Sequence, residues 1–361
     1  VLYALYVLPI EHELVKFEQV AKGKNFLDRG KIFAGLTGQW YLENDFSKFE
    51  STQRPELFRI VQQRLFSEIY EGDDLVQQLF EAKLWKKGRT SKGMKWKAYG
   101  MMASGDMETG MMNTIFNWIA CRYFEIMHGL NQQGKFMVDG DDGVIAIPRG
   151  QVCRNTFVDF GFDAKLIVKK DYHDVEFCSS KFIQVTPGTF YQVQDLRKLI
   201  KTIPYMINAT FRESLADYYG SLGYMYMQLY PGVPVYEALG RFLNRSSNRI
   251  VNAKLLENTH YGAFEAFKQG KAEFVTDYVC AMVELSMCFN YTVRELDLFE
   301  EWLNKTQLVF SEDRSKPYKS RDRKDVFNIP SELFDSIRIT GKVEVPPLGH
   351  RIRMIEQDFW K

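Results

Sequence analysis

Residues 136–147 read Phe-Met-Val-Asp-Gly-Asp-Asp-Gly-Val-Ile-Ala-Ile. Two apolar runs flank an acidic turn, a pattern that predicts strand, tight turn and strand. Gly140 and Gly143 are expected to supply the backbone freedom of the turn. A hairpin tip is a rigid place for two adjacent carboxylates. Like charges that close repel, so one pKa rises unless a cation sits between them. A hard divalent cation with oxygen ligands, Mg²⁺ or Mn²⁺, resolves the conflict. Taken alone, Gly-Asp-Asp is also an ordinary solvated turn. The chain carries its own control in Gly72-Asp73-Asp74, which precedes Leu75, Val76, Leu79 and Phe80 at helical spacing. There the acids suit a helix start, where they cap free N–H groups and offset the macrodipole. The strand–turn–strand setting therefore singles out Asp141.

The 361 residues suffice for a large core or two to three subdomains. Apolar content of 45% and charged content of 26% suit a globular protein. A net charge of +1 excludes a global field that would attract nucleic acid, so such binding needs local basic clusters. The five cysteines form no CxxC pair, which predicts buried free thiols in a reducing compartment. Val1 to Ile10 is apolar but too short to span a bilayer, and no stretch reaches about 18 apolar residues. A chain opening on Val1 is expected to be a piece of something longer.

A helix is expected around Glu11 to Val20 and a strand over Gln39 to Phe46. The recurrence of Leu57, Ile60, Val61 and Leu65 predicts a helix with Pro55 near its start. Residues 83–97 hold Lys83, Lys86, Lys87, Arg89, Lys92, Lys95 and Lys97 with no acid, interleaved with Trp85 and Trp96. They read as a basic β-hairpin. Its cations are either edge protection on a solvated surface or a grip on a nucleic-acid backbone and its bases. The polar loop Ser104 to Gly110 leads into a helix with Ile115, Ile119, Tyr123 and Ile126 on its apolar face. A short helix near Val152 to Phe160 ends at Gly161, and strand-like runs follow at Ala164 to Lys169 and Val175 to Val185. From Pro187 the pattern is mainly helical, and Ser311 to Asp325 is a charged stretch.

These pieces combine into one chemistry. Asp45 ends a predicted strand and Asp141 sits on a predicted hairpin tip, so one sheet can bring both carboxylates to a pair of metal ions. Asp45-Phe-Ser-Lys-Phe-Glu50, then Ser104-Gly105 with Thr109, Asn113 and Thr114, then Gly140-Asp141-Asp142 follow in this order. They resemble motifs A, B and C of viral RNA-dependent RNA polymerases. Gly161-Phe-Asp-Ala-Lys165 resembles motif D, and Val175-Glu-Phe-Cys-Ser179 resembles motif E. The Phe-Cys-Ser form, Ser-Gly-Asp-Met in motif B and Gly232-Val-Pro-Val235 are similar to tombusvirus-like positive-strand viruses. The motifs cover residues 45–185.

The resemblance implies an α+β right-hand polymerase with an antiparallel-sheet palm, partial fingers and a mainly helical thumb. Residues 1–38 and 51–100 would be fingers, 39–50 and 101–186 palm, and 187–361 thumb. It implies two Mg²⁺ or Mn²⁺ ions held by Asp45 and Asp141, with Asp142 nearby. Lys165 would act as general acid, with Lys169 and Lys170 as competitors for that role. Glu50, Ser104, Gly105, Thr109 and Asn113 would form the nucleotide pocket, Glu50 and Asn113 beside the ribose 2′-hydroxyl. Lys86, Lys87, Arg89, Lys92 and Lys95 would contact RNA. Implied partners are template and nascent RNA, ribonucleoside triphosphates and other replicase components. The implied setting is the host cytoplasm, at membrane-associated replication complexes reached through regions outside this chain. Glu50 stands where the family pattern has Asp, and no basic motif F precedes Glu11. A reverse transcriptase, and an RNA-binding scaffold built on a decayed polymerase fold, are the rival readings.

Overall fold

A computed structural model describes residues 2–130, 134–203, 215–245, 256, 261–270 and 273–306. The charged stretch Ser311 to Asp325 lies outside the described residues. The chain forms two compact units. The first comprises Val1–Lys22 and Gly35–Cys178, the second Gly23–Ala34 and Ser179–Lys361. The sheets are antiparallel and the architecture mixes helix and sheet.

The first unit is built on a four-stranded sheet. Its strands are β1 (Trp40–Phe46), β4 (Phe136–Asp139), β5 (Asp142–Ile147) and β6 (Ala164–Lys169), in the order β4-β5-β1-β6. β2 (Trp85–Arg89) and β3 (Lys95–Tyr99) form a separate hairpin. The outer edge of β4 is covered by the segment around Val20, which bridges Val138 in parallel. Alternation along β1 buries Leu42, Asn44 and Phe46 and leaves Asp45 exposed. Phe46, Phe49, Phe116, Phe124, Phe136, Phe157 and Phe162 are part of the same core.

The Thr109–Met127 helix packs on this sheet, but with a different face from the one its aliphatic residues suggest. Met112, Asn113, Phe116, Asn117, Ala120, Cys121, Phe124 and Glu125 are buried, whereas Ile126 is 62% exposed. An apolar-only periodicity passes over Asn113, Asn117 and Glu125, which are buried because each is hydrogen-bonded. A similar shift affects residues 55–69. Pro55–Leu57, a π-helical Phe58–Gln63 and Arg64–Ile69 run on from one another, burying Phe58, Gln62 and Phe66 and exposing Ile60. The extra residue in the π segment rotates the buried stripe away from a regular 3.6 period. The first helix is Ala4–Leu14, with Pro9 inside it, rather than Glu11 to Val20.

The second unit contains the β7 (Ser180–Thr186) and β8 (Thr189–Gln194) hairpin, turned at Gly188 with φ 84°. β8 departs from the helical pattern expected after Pro187, and the strand expected from Val175 begins only at Ser180. The Phe26–Ala34 helix lies against β8 so closely that a Cβ on Gly30 would stand 1.9 Å from the Phe190 carbonyl oxygen. Among the described residues the remainder of this unit is helical, including Leu215–Leu229, Tyr236–Asn244, Tyr278–Phe289 and Val293–Lys305. The five cysteines form no disulfide, and Cys121 and Cys288 are buried.

A buried ion pair anchors the start of the Thr109–Met127 helix. Lys83 and Glu108 stand 2.6 Å apart with side chains only 10% and 3% exposed. Lys83 also lies 4.6 Å from the centre of the Phe58 ring. Burial pulls the Lys83 amine below its usual range, while the Glu108 charge opposes that fall. Removing one partner strands the other charge in the core. Glu108→Leu is expected to destabilise the protein by about 3–5 kcal/mol. Adding Lys83→Met should recover most of that loss, as urea denaturation of the two variants will measure.

Candidate active site

The acidic turn is a two-residue hairpin in which Asp139 pairs with Asp142 across Gly140 and Asp141. Gly140 has φ 62° and so occupies the left-handed region that a turn of this kind demands. Gly143 has a different role from the one expected. Its φ is not positive, and glycine is needed there because a Cβ would come within 2.2 Å of Asn44 Oδ1. The other Gly-Asp-Asp behaves as the sequence suggested. Asp73 caps the Asp74–Leu84 helix by accepting from the Leu75 amide at 2.9 Å, and Tyr6 donates its hydroxyl to the same carboxylate.

The helix Thr109–Met127 holds the acidic hairpin at both ends. Glu125 accepts the amides of Gly134 and Lys135 at 3.1 and 2.9 Å, ahead of β4. At the tip, Asn117 Nδ2 donates to the carbonyls of Gly140 (3.2 Å) and Asp142 (3.0 Å). The Gly140 amide donates to Thr114 Oγ1 at 2.9 Å, and Asn44 Nδ2 donates to Asn117 Oδ1 at 3.0 Å. Asn117 and Thr114 are fully buried. These side chains hold β1, the helix and the turn in one register. Sequence reasoning missed Asn44, Asn117 and Glu125. Their signal was present as two asparagines four residues apart on one helix, Asn113 and Asn117, with another beside Asp45.

Strand pairing sets Asp45 and the strand that follows the acidic turn side by side in one sheet. Asn44 faces Gly143 on β5, and Asp45 faces Lys165 on β6, so the Asp45 and Lys165 side chains leave the same side of the sheet. Lys169 instead pairs with Glu43 at 3.8 Å, and Lys170 lies over the Trp40 ring. Burial pushes the Asp141 carboxyl above its ordinary range, and the charges of Glu50, Asp139 and Asp45 add to the rise. Burial also pushes Asp142 up to about 6, helped by the Asp141 charge and opposed by hydrogen bonds from Cys178. Cys178 and Ser179 have φ of 51° and 55°, two successive left-handed residues that are not glycine. Such conformations cost of order 1–3 kcal/mol each and persist only where surrounding structure enforces them.

Glu50 reaches the cluster through a local turn. Lys48 adopts φ 53°, and buried Phe49 stacks on Phe46 at 4.0 Å and meets Phe162 edge-on. Glu50 then accepts from Asn113 Nδ2 at 3.2 Å. Asn113 Oδ1 accepts in turn from Gln53 Nε2 at 2.7 Å. In the polar loop, Ser104 and Gly105 are exposed, Gly105 at φ 91°. The Thr109 hydroxyl donates to the Ala103 carbonyl at 2.9 Å, so it closes the loop.

The basic hairpin has two unlike faces. Trp85 pairs with Tyr99, Lys87 with Lys97 and Arg89 with Lys95, all six exposed on one face. The Trp85 and Tyr99 rings lie 4.8 Å apart. Like charges directly opposite each other destabilise a strand pair. Among the described residues neither cationic pair has an acidic partner. Lys92 is exposed at the turn. Lys86 is on the other face and is ion-paired to Asp106, whose carboxylate also accepts the Ala103 amide. There Trp96 lies across Gly88, where a Cβ would meet the ring at 2.2 Å.

Asp45, Glu50, Asp139 and Asp141 offer hard oxygen donors of the kind a divalent cation prefers. Among the described residues no group of three or more His, Cys, Asp or Glu side chains converges closely enough to hold an ion as it stands. Their chemistry fits such an ion, and their mutual repulsion is what it would relieve. No helix of the described residues is long and apolar enough to cross a membrane.

Asn117→Ala is expected to cost about 1–3 kcal/mol of stability by leaving the Gly140 and Asp142 carbonyls unmatched. If the site carries phosphoryl-transfer chemistry, the turnover number should fall more than substrate affinity, because the turn rather than the pocket loosens. Steady-state kinetics alongside a denaturation curve will separate the two. The sequence profile of the family described as viral RNA-dependent RNA polymerase matches residues 14–277. No curated protein matches the chain.

Proposed function

Since this chain belongs to the viral RNA-dependent RNA polymerase family and is thereby an RNA-directed RNA polymerase, we propose that its acidic cluster adds ribonucleotides to an RNA 3′ end. The observation that carries the reading is the hydrogen bond from Asn113 to Glu50 beside the Asp141 turn. It joins two stretches far apart in sequence, and the Glu50 charge acts on the Asp141 carboxyl of a third. In this reading the enzyme replicates a positive-strand, tombusvirus-like genome. Residues 39–50 and 101–186 serve as palm, 1–38 and 51–100 as fingers, and 187–361 as thumb.

Polymerases of this family generally use divalent metal ions. Asp45 and Asp141, with Asp142 beside them, would hold two Mg²⁺ or Mn²⁺ ions. Bound there, the ions supply charge stabilisation to the transferring phosphoryl group. The chain's own residues do the rest. Asp45 and Asp141 keep the acidic pole of the site fixed in the sheet. Lys165, across the strand pair from Asp45, donates a proton to the departing pyrophosphate. Glu50 and Asn113 hold the ribose, and Ser104, Gly105 and Thr109 shape the loop beside it. Template and nascent RNA and ribonucleoside triphosphates are the substrates and partners. Other replicase components would bring the enzyme to membrane-associated complexes in the host cytoplasm.

The test is primer extension with Mg²⁺ or Mn²⁺. Asp141→Asn should abolish nucleotide addition while the protein stays folded. Asp73→Asn, in the helix-capping Gly-Asp-Asp, should leave addition close to wild type. Equal loss in both variants would put the chemistry elsewhere.

RNA grip is assigned to the exposed hairpin face, Lys87, Arg89 and Lys95 with Lys92 at the turn. The two opposed cationic pairs gain most from a polyanion, because phosphates relieve a repulsion that no acid among the described residues compensates. Lys86 is excluded from that face by its pairing with Asp106. Replacing Lys87, Arg89 and Lys95 with Ala should weaken RNA binding and reduce the slope of log affinity against log salt by up to about 2–3. Lys86→Ala should leave that slope unchanged. Titrations at several salt concentrations give both numbers.

A further inference from the structure

Gln53 is the least expected residue near the site. It follows the short Phe49–Thr52 helix in extended conformation and is only 2% exposed. Its Nε2 donates to Asn113 Oδ1 at 2.7 Å, and Asn113 Nδ2 donates to Glu50 at 3.2 Å. Its own Oε1 is buried without a hydrogen-bond partner among the described residues. A buried polar atom without a partner is costly, and a methionine or leucine at this position would avoid that cost. The amide is retained for its N–H group.

The direction of the relay follows from its last member. An ionised Glu50 can only accept, so Asn113 must present its NH₂ to that carboxylate. Turning Asn113 round would set its carbonyl oxygen against the negative charge. Gln53 secures the same orientation from the other side, because its N–H requires the Asn113 oxygen to face it. Asn113 is thereby left with one N–H to offer, and Glu50 with one free oxygen. That is one donor beside one acceptor. A hydroxyl both donates and accepts and satisfies both together, whereas a methylene satisfies neither.

We propose that Gln53 is a specificity-determining positioning residue that locks the Asn113 amide in the orientation required to recognise a ribose 2′-hydroxyl. The inference rests on the assignment of Glu50 and Asn113 to the ribose. Gln53 does not itself touch the nucleotide. Without it, the bond to Glu50 alone holds the Asn113 amide, and the donor–acceptor pair is available only part of the time.

The experiment is single-nucleotide incorporation on one primer–template, with kcat/KM measured for a ribonucleotide and its 2′-deoxy analogue. The proteins are wild type, Gln53→Met, Gln53→Glu and Asn113→Ala, each checked by thermal denaturation. Gln53→Met should lower the ribo-to-deoxy ratio roughly tenfold, through a higher KM for the ribonucleotide, with the deoxynucleotide value little changed. Gln53→Glu keeps the shape but replaces the donor with an acceptor, so it should lower the ratio at least as much. A ratio preserved in both Gln53 variants while Asn113→Ala collapses it would overturn the proposal and leave the ribose reading standing. A ratio preserved in all three would overturn both. Equal losses for the two nucleotides in the Gln53 variants would make Gln53 a structural residue and overturn the proposal as well.

Discussion

Everything at the acidic end of the first unit depends on holding carboxylates against their own repulsion. Burial lifts the Asp141 carboxyl above its usual range, and the charges of Glu50, Asp139 and Asp45 add to that rise. Nothing in an isolated β-turn would resist that push. The resistance comes from the buried amides and hydroxyl on the Thr109–Met127 helix. Asn117 takes two carbonyls of the turn, Thr114 takes an amide, and Asn44 ties the strand of Asp45 to Asn117. These bonds lie in a low-dielectric interior, where each is stronger than in water and expensive to leave unmade. A polar seam inside an otherwise aromatic core is therefore what gives the site a defined shape.

The same helix is itself secured at its start by charge. Lys83 pairs with Glu108 at the helix entrance, and Lys86 pairs with Asp106 in the loop before it. Lys83 lies in the last turn of the Asp74–Leu84 helix and Lys86 in β2, which follows it directly. Cations that look alike in sequence thus divide into two sets. Lys83 and Lys86 brace the loop of Ser104 and Gly105, and the outer face of the hairpin keeps its charge uncompensated. That loop remains exposed around Gly105 yet is pinned on both sides, an arrangement suited to movement confined to one short segment.

Glu50 and the acidic turn share these supports. Glu50 is set by the stacking of Phe49 on Phe46, in the same segment that carries Asp45. Asn113 lies one helical turn from Asn117 on the helix that holds the turn. The position of Asn113 is therefore coupled mechanically to the turn that carries Asp141, because Asn113 and Asn117 stand one turn apart on the same helix. Asp142 feels the Asp141 charge and also accepts hydrogen bonds from Cys178, whose backbone is strained.

Local chemistry made much of this legible in the sequence. The acidic hairpin, the strand ending near Asp45, the cap at Asp73 and the basic hairpin all follow from turn propensity, alternation and capping, which act over a few residues. The order of the motifs pointed to the polymerase family before any coordinates. Tertiary structure alone decided the rest. The buried face of the Thr109–Met127 helix is not its aliphatic stripe, because hydrogen-bonded Asn113, Asn117 and Glu125 are as buried as Phe116. Gly143 is glycine for the sake of Asn44, a residue about a hundred positions away in the chain. β8 displaces a helix because β7 supplies it with a partner. Lys86, on the opposite hairpin face from Lys87, has its charge paired by Asp106. Except in the β7–β8 hairpin, the deciding partner is well separated along the chain, and periodicity and propensity, which describe near neighbours, carry no record of it.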